Sequence, residues 1–182
     1  MTETNWTLDS SNGELQIRTG VTGPAAKMGH RLTIAMESWQ GTVAWRGKEP
    51  TSVELVVDVD SLQVLNGEGG VKPLSGPEKS LARSNALKSL DAKKYPQVRF
   101  SAGEVAKTAA GYRLTGTLEI HGKSRPQVID LAVDDEGDSW GLSTEAPVTQ
   151  TEFGVKPYSL LMGSMKVADE VIVAFTATRS KR

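Results

Sequence analysis

Along most of the chain, apolar and polar residues alternate one for one. In "SVELVVDVDSL", Val53, Leu55, Val57 and Val59 share one face, while Glu54, Asp58 and Asp60 share the other. Tyr112, Leu114, Leu118 and Ile120 alternate with Arg113, Thr115, Thr117 and Glu119, and Val98, Phe100 and Ala102 oppose Gln97, Arg99 and Ser101. Trp140, Leu142, Ala146 and Val148 repeat the pattern, as do Val171, Val173 and Phe175. A period of two marks strands with one apolar and one wetter face. Gly41, Gly47, Pro50, Gly111, Gly122, Pro126 and Gly137 punctuate these runs. Short turns of this kind join antiparallel neighbours. The pattern predicts about eight strands, at 13–19, 31–38, 41–46, 52–60, 97–106, 111–121, 126–134 and 139–149, with 169–178 as a closing strand.

Two stretches break the alternation. "NGEGGVKPLSG" (66–76) reads as a flexible loop, and no strand–helix frame makes its glycines a dinucleotide fingerprint. "PEKSLARSNALKSLDAKKY" has helix-compatible composition, with Pro77 suited to a first turn and Pro96 ending the helix by Tyr95. Asn85 could cap a second short helix, so one helix or two is open. An antiparallel sheet this long must hide its edges, and closure into a barrel does so. The expectation is an all-β fold, an extended eight-stranded antiparallel barrel with one or two short helices, forming a single domain over residues 1–182. Such a barrel is either filled by its own side chains or holds one small ligand.

Composition narrows the chemistry. Without cysteine, disulfides, thiol nucleophiles and Cys-ligated zinc are excluded. A formal net charge of −1 gives no broad electrostatic footprint for nucleic acid or an anionic membrane. The opening "MTETNWTLDS" has neither basic nor apolar signal regions, and no apolar run approaches the roughly 18 residues of a membrane span. The expected location is therefore cytoplasmic. The basic end "RSKR" reads as a solvated tail, and the sequon Asn5-Trp6-Thr7 as coincidence.

Several motifs tempt and fail. In "GTLEIHGKSRP", a phosphate loop would need four residues between its first glycine and Gly122-Lys123-Ser124, but Thr117 stands before that gap and Gly116 lies one residue too early. Pro126 then follows, where a helix should open. The stretch reads as a hairpin turn. "DDEGD" (134–138) lacks the spacing of a calcium loop and reads as a solvated turn. No serine has a nucleophile-elbow context. The two histidines, His30 and His121, are not at ligand spacing for zinc or di-iron, although a single histidine is compatible with haem. His121 reads as a surface residue beside the turn glycine; His30 reads equally as a mouth residue or as a lone core or turn histidine.

The chain resembles the YceI-like proteins, lipocalin-like barrels associated with polyisoprenoid binding. The resemblance runs through "NWTLDSSNGELQIRT", "MGHRLTIAMESWQGTV", "KYPQVRFSA", "YRLTGTLEIHGKSRPQVIDLAV" and "FGVKPYSLLMGSMKVADEVIVAF". Tyr-Pro-x-x-x-Phe, the Gly-x-Leu-x-x-x-Gly hairpin and the late Phe-Gly are individually ordinary and specific in their order. It implies a barrel around a pocket for a long isoprenoid chain. Many members carry arginine three positions before the Phe-Gly, where this chain has Gln150, and many are exported to the periplasm.

With that pocket in view, the expected mouth residues are His30, Lys156 and Tyr158. The expected wall is Leu32, Ile34, Met36, Val57, Phe100, Leu118, Ile120, Trp140, Phe153, Leu161 and Phe175. The leading reading is non-catalytic binding or transport of an isoprenoid, quinone or prenyl carrier, with a hydrophobic small molecule as partner and no other cofactor. Two rivals stand beside it. One is an enzyme or redox protein acting on such a lipid or on haem through a polar cluster around His30. The other is an interaction protein with a filled barrel. A homodimer through a barrel face is open, with no residue pattern arguing for it.

Overall fold

The inward face of the alternating strands meets itself across a curled sheet. Residues 3–182 are described in a computed structural model. The strands are β1 (Glu3–Asp9), β2 (Gly13–Arg18), β3 (Val21–Thr22), β4 (His30–Met36), β5 (Trp39–Arg46), β6 (Glu49–Asp58) and β7 (Leu62–Gly69). After helix α1 (Gly76–Ser89) come β8 (Gln97–Lys107), β9 (Gly111–Ile120), β10 (Lys123–Asp135), β11 (Ser139–Thr149), β12 (Ser159–Leu160), β13 (Met165–Val167) and β14 (Glu170–Ser180). Eleven strands form one antiparallel sheet in the order β1-β5-β6-β8-β9-β10-β11-β14-β2-β4-β7, and β12-β13-β3 form a second, small sheet. The register aligns the apolar face across neighbours: Leu15 lies opposite Met36 and Phe175, and Phe100 opposite Leu55 and Leu118.

The sheet is all-β as expected, but its count is eleven rather than eight. The closing strand expected at 169–178 is β14, and the two strands not expected are β1 and β7; polar knots set each off from its neighbour in sequence. Asp9 folds back through its amide to Asn12 Oδ1 (2.9 Å) and accepts from the Ser11 amide (2.8 Å), separating β1 from β2. Ser38 donates to the Asp58 carboxylate (2.5 Å), the Asp58 amide donates to the Ser38 carbonyl (2.9 Å), and Ser61 donates to the Asp58 carbonyl (2.7 Å). That one cluster separates β4 from β5 and β6 from β7. The two outermost strands of the order, β1 and β7, thus continue into the interior strands β2 and β6, and the sheet curls round on itself.

The helix question resolves to one helix. Ser75 and Glu78 form a reciprocal capping box, Pro77 occupies the first turn, and Asn85 lies inside the helix. Arg83 clamps the helix to the sheet, donating to the carbonyls of Leu62 (2.7 Å) and Asp60 (2.6 Å). The expected loop at 66–76 begins as strand: β7 extends to Gly69 and pairs with β4.

The Gly-Lys-Ser stretch is a hairpin. His121 and Gly122 both have positive φ (56° and 73°) between β9 and β10, which is what a two-residue type I′ connection demands. Lys123 and Ser124 simply begin β10.

Candidate functional site

The curled sheet encloses a cavity of about 610 Å³, within the range of small-molecule sites. Its wall is built by the inward residues of strands all around the sheet, among them Leu15, Met36, Trp39, Leu142 and Val173. Among the described residues, no polar or charged residue is buried. Trp39 meets Phe175 edge-on with ring centroids 5.2 Å apart, a preferred aromatic geometry.

One end of the cavity is closed. Trp6, Trp45, Trp140 and Arg179 continue the inward alternation of β1, β5, β11 and β14 past the last wall residues, and none of them lines the cavity. Trp6 and Trp45 pack with centroids 4.7 Å apart, and the Arg179 guanidinium lies 4.9 Å over the Trp6 ring while donating to the Thr7 carbonyl (3.1 Å). Lys181 stands 4.2 Å over Trp140 and pairs with Asp135, whose carboxyl this hydrogen bond holds below its ordinary value. The opposite end is the mouth. It is framed by α1 and the small sheet, which contribute Glu78, Leu81, Tyr158, Leu160, Met165 and Lys166 to the lining.

Of the expected site residues, His30, Leu32, Ile34, Met36, Val57, Phe100, Leu118, Ile120, Phe153, Tyr158 and Phe175 line this cavity. Three do not. Trp140 has the expected facing but lies at the closed end, beneath Lys181. Lys156 is exposed and off the lining, where Lys166 stands instead. Leu161 is turned outward on a left-handed backbone (φ 52°), and its neighbour Leu160 lines the mouth. Sequence reading missed Leu8, Leu15 and Trp39 as wall residues, although each sits on an alternating run. It also missed the mouth lining from α1, whose composition gives no inward face.

His30 is held rather than poised. Its Nε2 contacts the Lys72 carbonyl at 2.7 Å, and a carbonyl only accepts, so Nε2 is protonated and donating. Gly70 packs so closely that a Cβ there would meet Nε2 at 2.7 Å. Glu78 accepts from the Ser75 amide, and its carboxyl is held below its ordinary value first by the Ser75 hydroxyl and then by the Ser75 amide, with His30 and Lys72 adding to this. Among the described residues, no three His, Cys, Asp or Glu converge as a metal site. Gln150 lines the cavity and donates to the Ala168 carbonyl at 3.0 Å. The position thus ties the end of β11 to the loop before β14.

The family described as YceI-like domain matches residues 6–178. A UPF0312 protein of Pectobacterium atrosepticum is 24% identical over 155 residues, spanning 81% of this chain and 73% of its own. A second, from Yersinia enterocolitica, is 26% identical over 113 residues, spanning 59% of this chain and 52% of its own. The crystal structure of BcnA from Burkholderia cenocepacia is similar with a TM-score of 0.69 at 19% identity, covering 95% of this chain and 99% of that one. The Campylobacter jejuni YCEI protein follows at 0.60 and 15%, covering 82% and 84%. At those identities the likeness establishes the fold, and the sequence match establishes the family. The chain belongs to the YceI-like family.

Proposed function

We propose that this protein binds a long apolar lipid, an isoprenoid chain or a quinone-like tail, inside the barrel and carries it without chemical change. The cavity supports this reading: about 610 Å³ enclosed by aliphatic and aromatic side chains from strands around the sheet. Burial of each methylene contributes about 0.8 kcal/mol, so ten supply roughly 8 kcal/mol before ordering costs, on the order of micromolar affinity. Longer chains gain more until the cavity is full. The closed end limits length, and the polar atoms at the mouth (Tyr158, Lys166 and Glu78) face whatever head group stays outside. A catalytic reading centred on His30 gains nothing from the geometry, because Nε2 is committed to a main-chain carbonyl.

Trp39 is a built-in reporter, since it is a cavity-lining tryptophan while Trp6, Trp45 and Trp140 lie at the closed end. Titration with prenyl alcohols of increasing length, read by tryptophan fluorescence, is expected to show affinity rising with chain length and then levelling. No response to any member of the series would overturn the proposal.

A further inference from the structure

The mouth is rimmed by apolar side chains that water cannot favour. Met28, Leu81 and Leu160 both line the cavity and stand 55%, 61% and 44% exposed. Beside them, Leu161 and Met162 occupy consecutive left-handed positions (φ 52° and 56°), and Met162 is fully exposed. Contiguous exposed apolar surface of this kind marks an interaction site.

The charge around that rim decides the partner. Besides α1, which brings Glu78 and Lys79, three segments frame it: 19–31, 69–77 and 154–168. These three segments carry Lys27, Arg31, Lys72, Lys156 and Lys166 and no aspartate or glutamate, in a chain with 22 acidic residues. The small sheet joins the first segment to the third through Thr22 and Lys166, and the His30–Lys72 contact joins the first to the second. Among the described residues, Lys27, Lys72 and Lys156 make no ion pair. The nearby acids are engaged: Glu68 faces Arg31 at 3.7 Å, Glu78 caps its own helix with Lys72 close enough to act on it, and Asp169 accepts from Thr151 with Lys166 acting on it. The net charge of −1 therefore conceals a basic collar around an apolar tip.

We propose that this rim docks the mouth onto an anionic lipid bilayer, with Leu160, Leu161, Met162 and Met28 entering the acyl boundary and the lysines facing headgroup phosphates. Apolar burial combined with electrostatic attraction is how interfacial segments bind such surfaces. A second copy of the chain fits the rim worse, because two identical basic collars would face each other. The inference rests on the lipid-carrier reading for its purpose, naming where cargo enters and leaves, but its test is separate.

That test is flotation of the full chain with vesicles of phosphatidylcholine and phosphatidylglycerol (3:1), set against vesicles of phosphatidylcholine alone. The expected result is partition onto the anionic vesicles that falls more than tenfold in Met162→Glu, in the triple variant Lys27→Glu/Lys72→Glu/Lys156→Glu, and at high salt. Prenyl-alcohol uptake from solution should be unchanged in both variants, so a failed rim is distinguishable from a failed cavity. Absence of the wild type from anionic vesicles, equal binding to neutral ones, or undiminished binding by both variants would each overturn the proposal. So would sedimentation showing a wild-type dimer that Met162→Glu splits, with no vesicle binding by either.

Discussion

The two ends of this barrel solve opposite problems with similar residue types. At the closed end, tryptophans lie beneath cations: Arg179 covers Trp6, and Lys181 covers Trp140. The turn beside them is acidic, with Asp134, Asp135, Glu136 and Asp138. At the mouth the apolar residues lie bare and the neighbouring charges are basic. A large hydrophobe is thus satisfied at one end and left waiting at the other. What separates a plug from a docking rim is whether a residue's neighbours cover it, since hydrophobicity is common to both.

The largest effect is expected at the plug. Trp45 is half-buried against Trp6, so Trp45→Ala should cost about 3 kcal/mol, at the low end for such truncations. For a chain of this length that lowers Tm by roughly 6–12 °C in thermal unfolding. Next comes the cavity between the ends. Ala146→Phe places a ring into space that is already empty, so stability should change by less than about 1 kcal/mol, whereas in a filled core overpacking costs about 1–3. Prenyl-alcohol affinity should meanwhile fall at least tenfold, as several methylenes lose their place. A large loss of Tm with no loss of uptake would contradict the cavity.

Smaller effects are expected at the mouth. Ser75→Ala removes the helix cap and should cost about 1 kcal/mol. The Glu78 carboxyl is depressed when folded, so its contribution is present above the ordinary carboxylate range and is lost as pH falls through the lowered value. Acid should therefore loosen the helix that frames the mouth, and Glu78→Gln should blunt that part of the acid response in circular dichroism. Least of all, Met162→Glu should leave stability within about 0.5 kcal/mol of the wild type, because the side chain touches solvent alone.

Alternation made the strands and their inward faces legible, and the hairpin at His121–Gly122 followed from the same reading. Facing is not depth, however. Trp140 and Leu142 share a face of β11, yet Leu142 lines the cavity and Trp140 closes the end. Periodicity cannot say where along a strand the interior stops. No part of β7 is expected as strand, and its last part was hidden because "NGEGG" looks like a loop, whereas the ladder with β4 is made by main chain, and Gly67 and Gly70 are needed to let His30 in. Eight strands with a closing ninth became eleven because the expected set lacks β1 and β7, and the knot of Ser38, Asp58 and Ser61 that sets β7 off from β6 is assembled from distant segments. Leu160 and Leu161 are indistinguishable as letters; only the left-handed turn at Leu161 sends one into the mouth and the other out.

The central claim is a lipid in the cavity. The most direct measurement is organic extraction of the natively purified protein followed by mass spectrometry, with a heat-denatured, washed sample as control. A stoichiometric isoprenoid or quinone in the native extract alone is the predicted result. An empty extract, together with no uptake of added prenyl lipids, would contradict it.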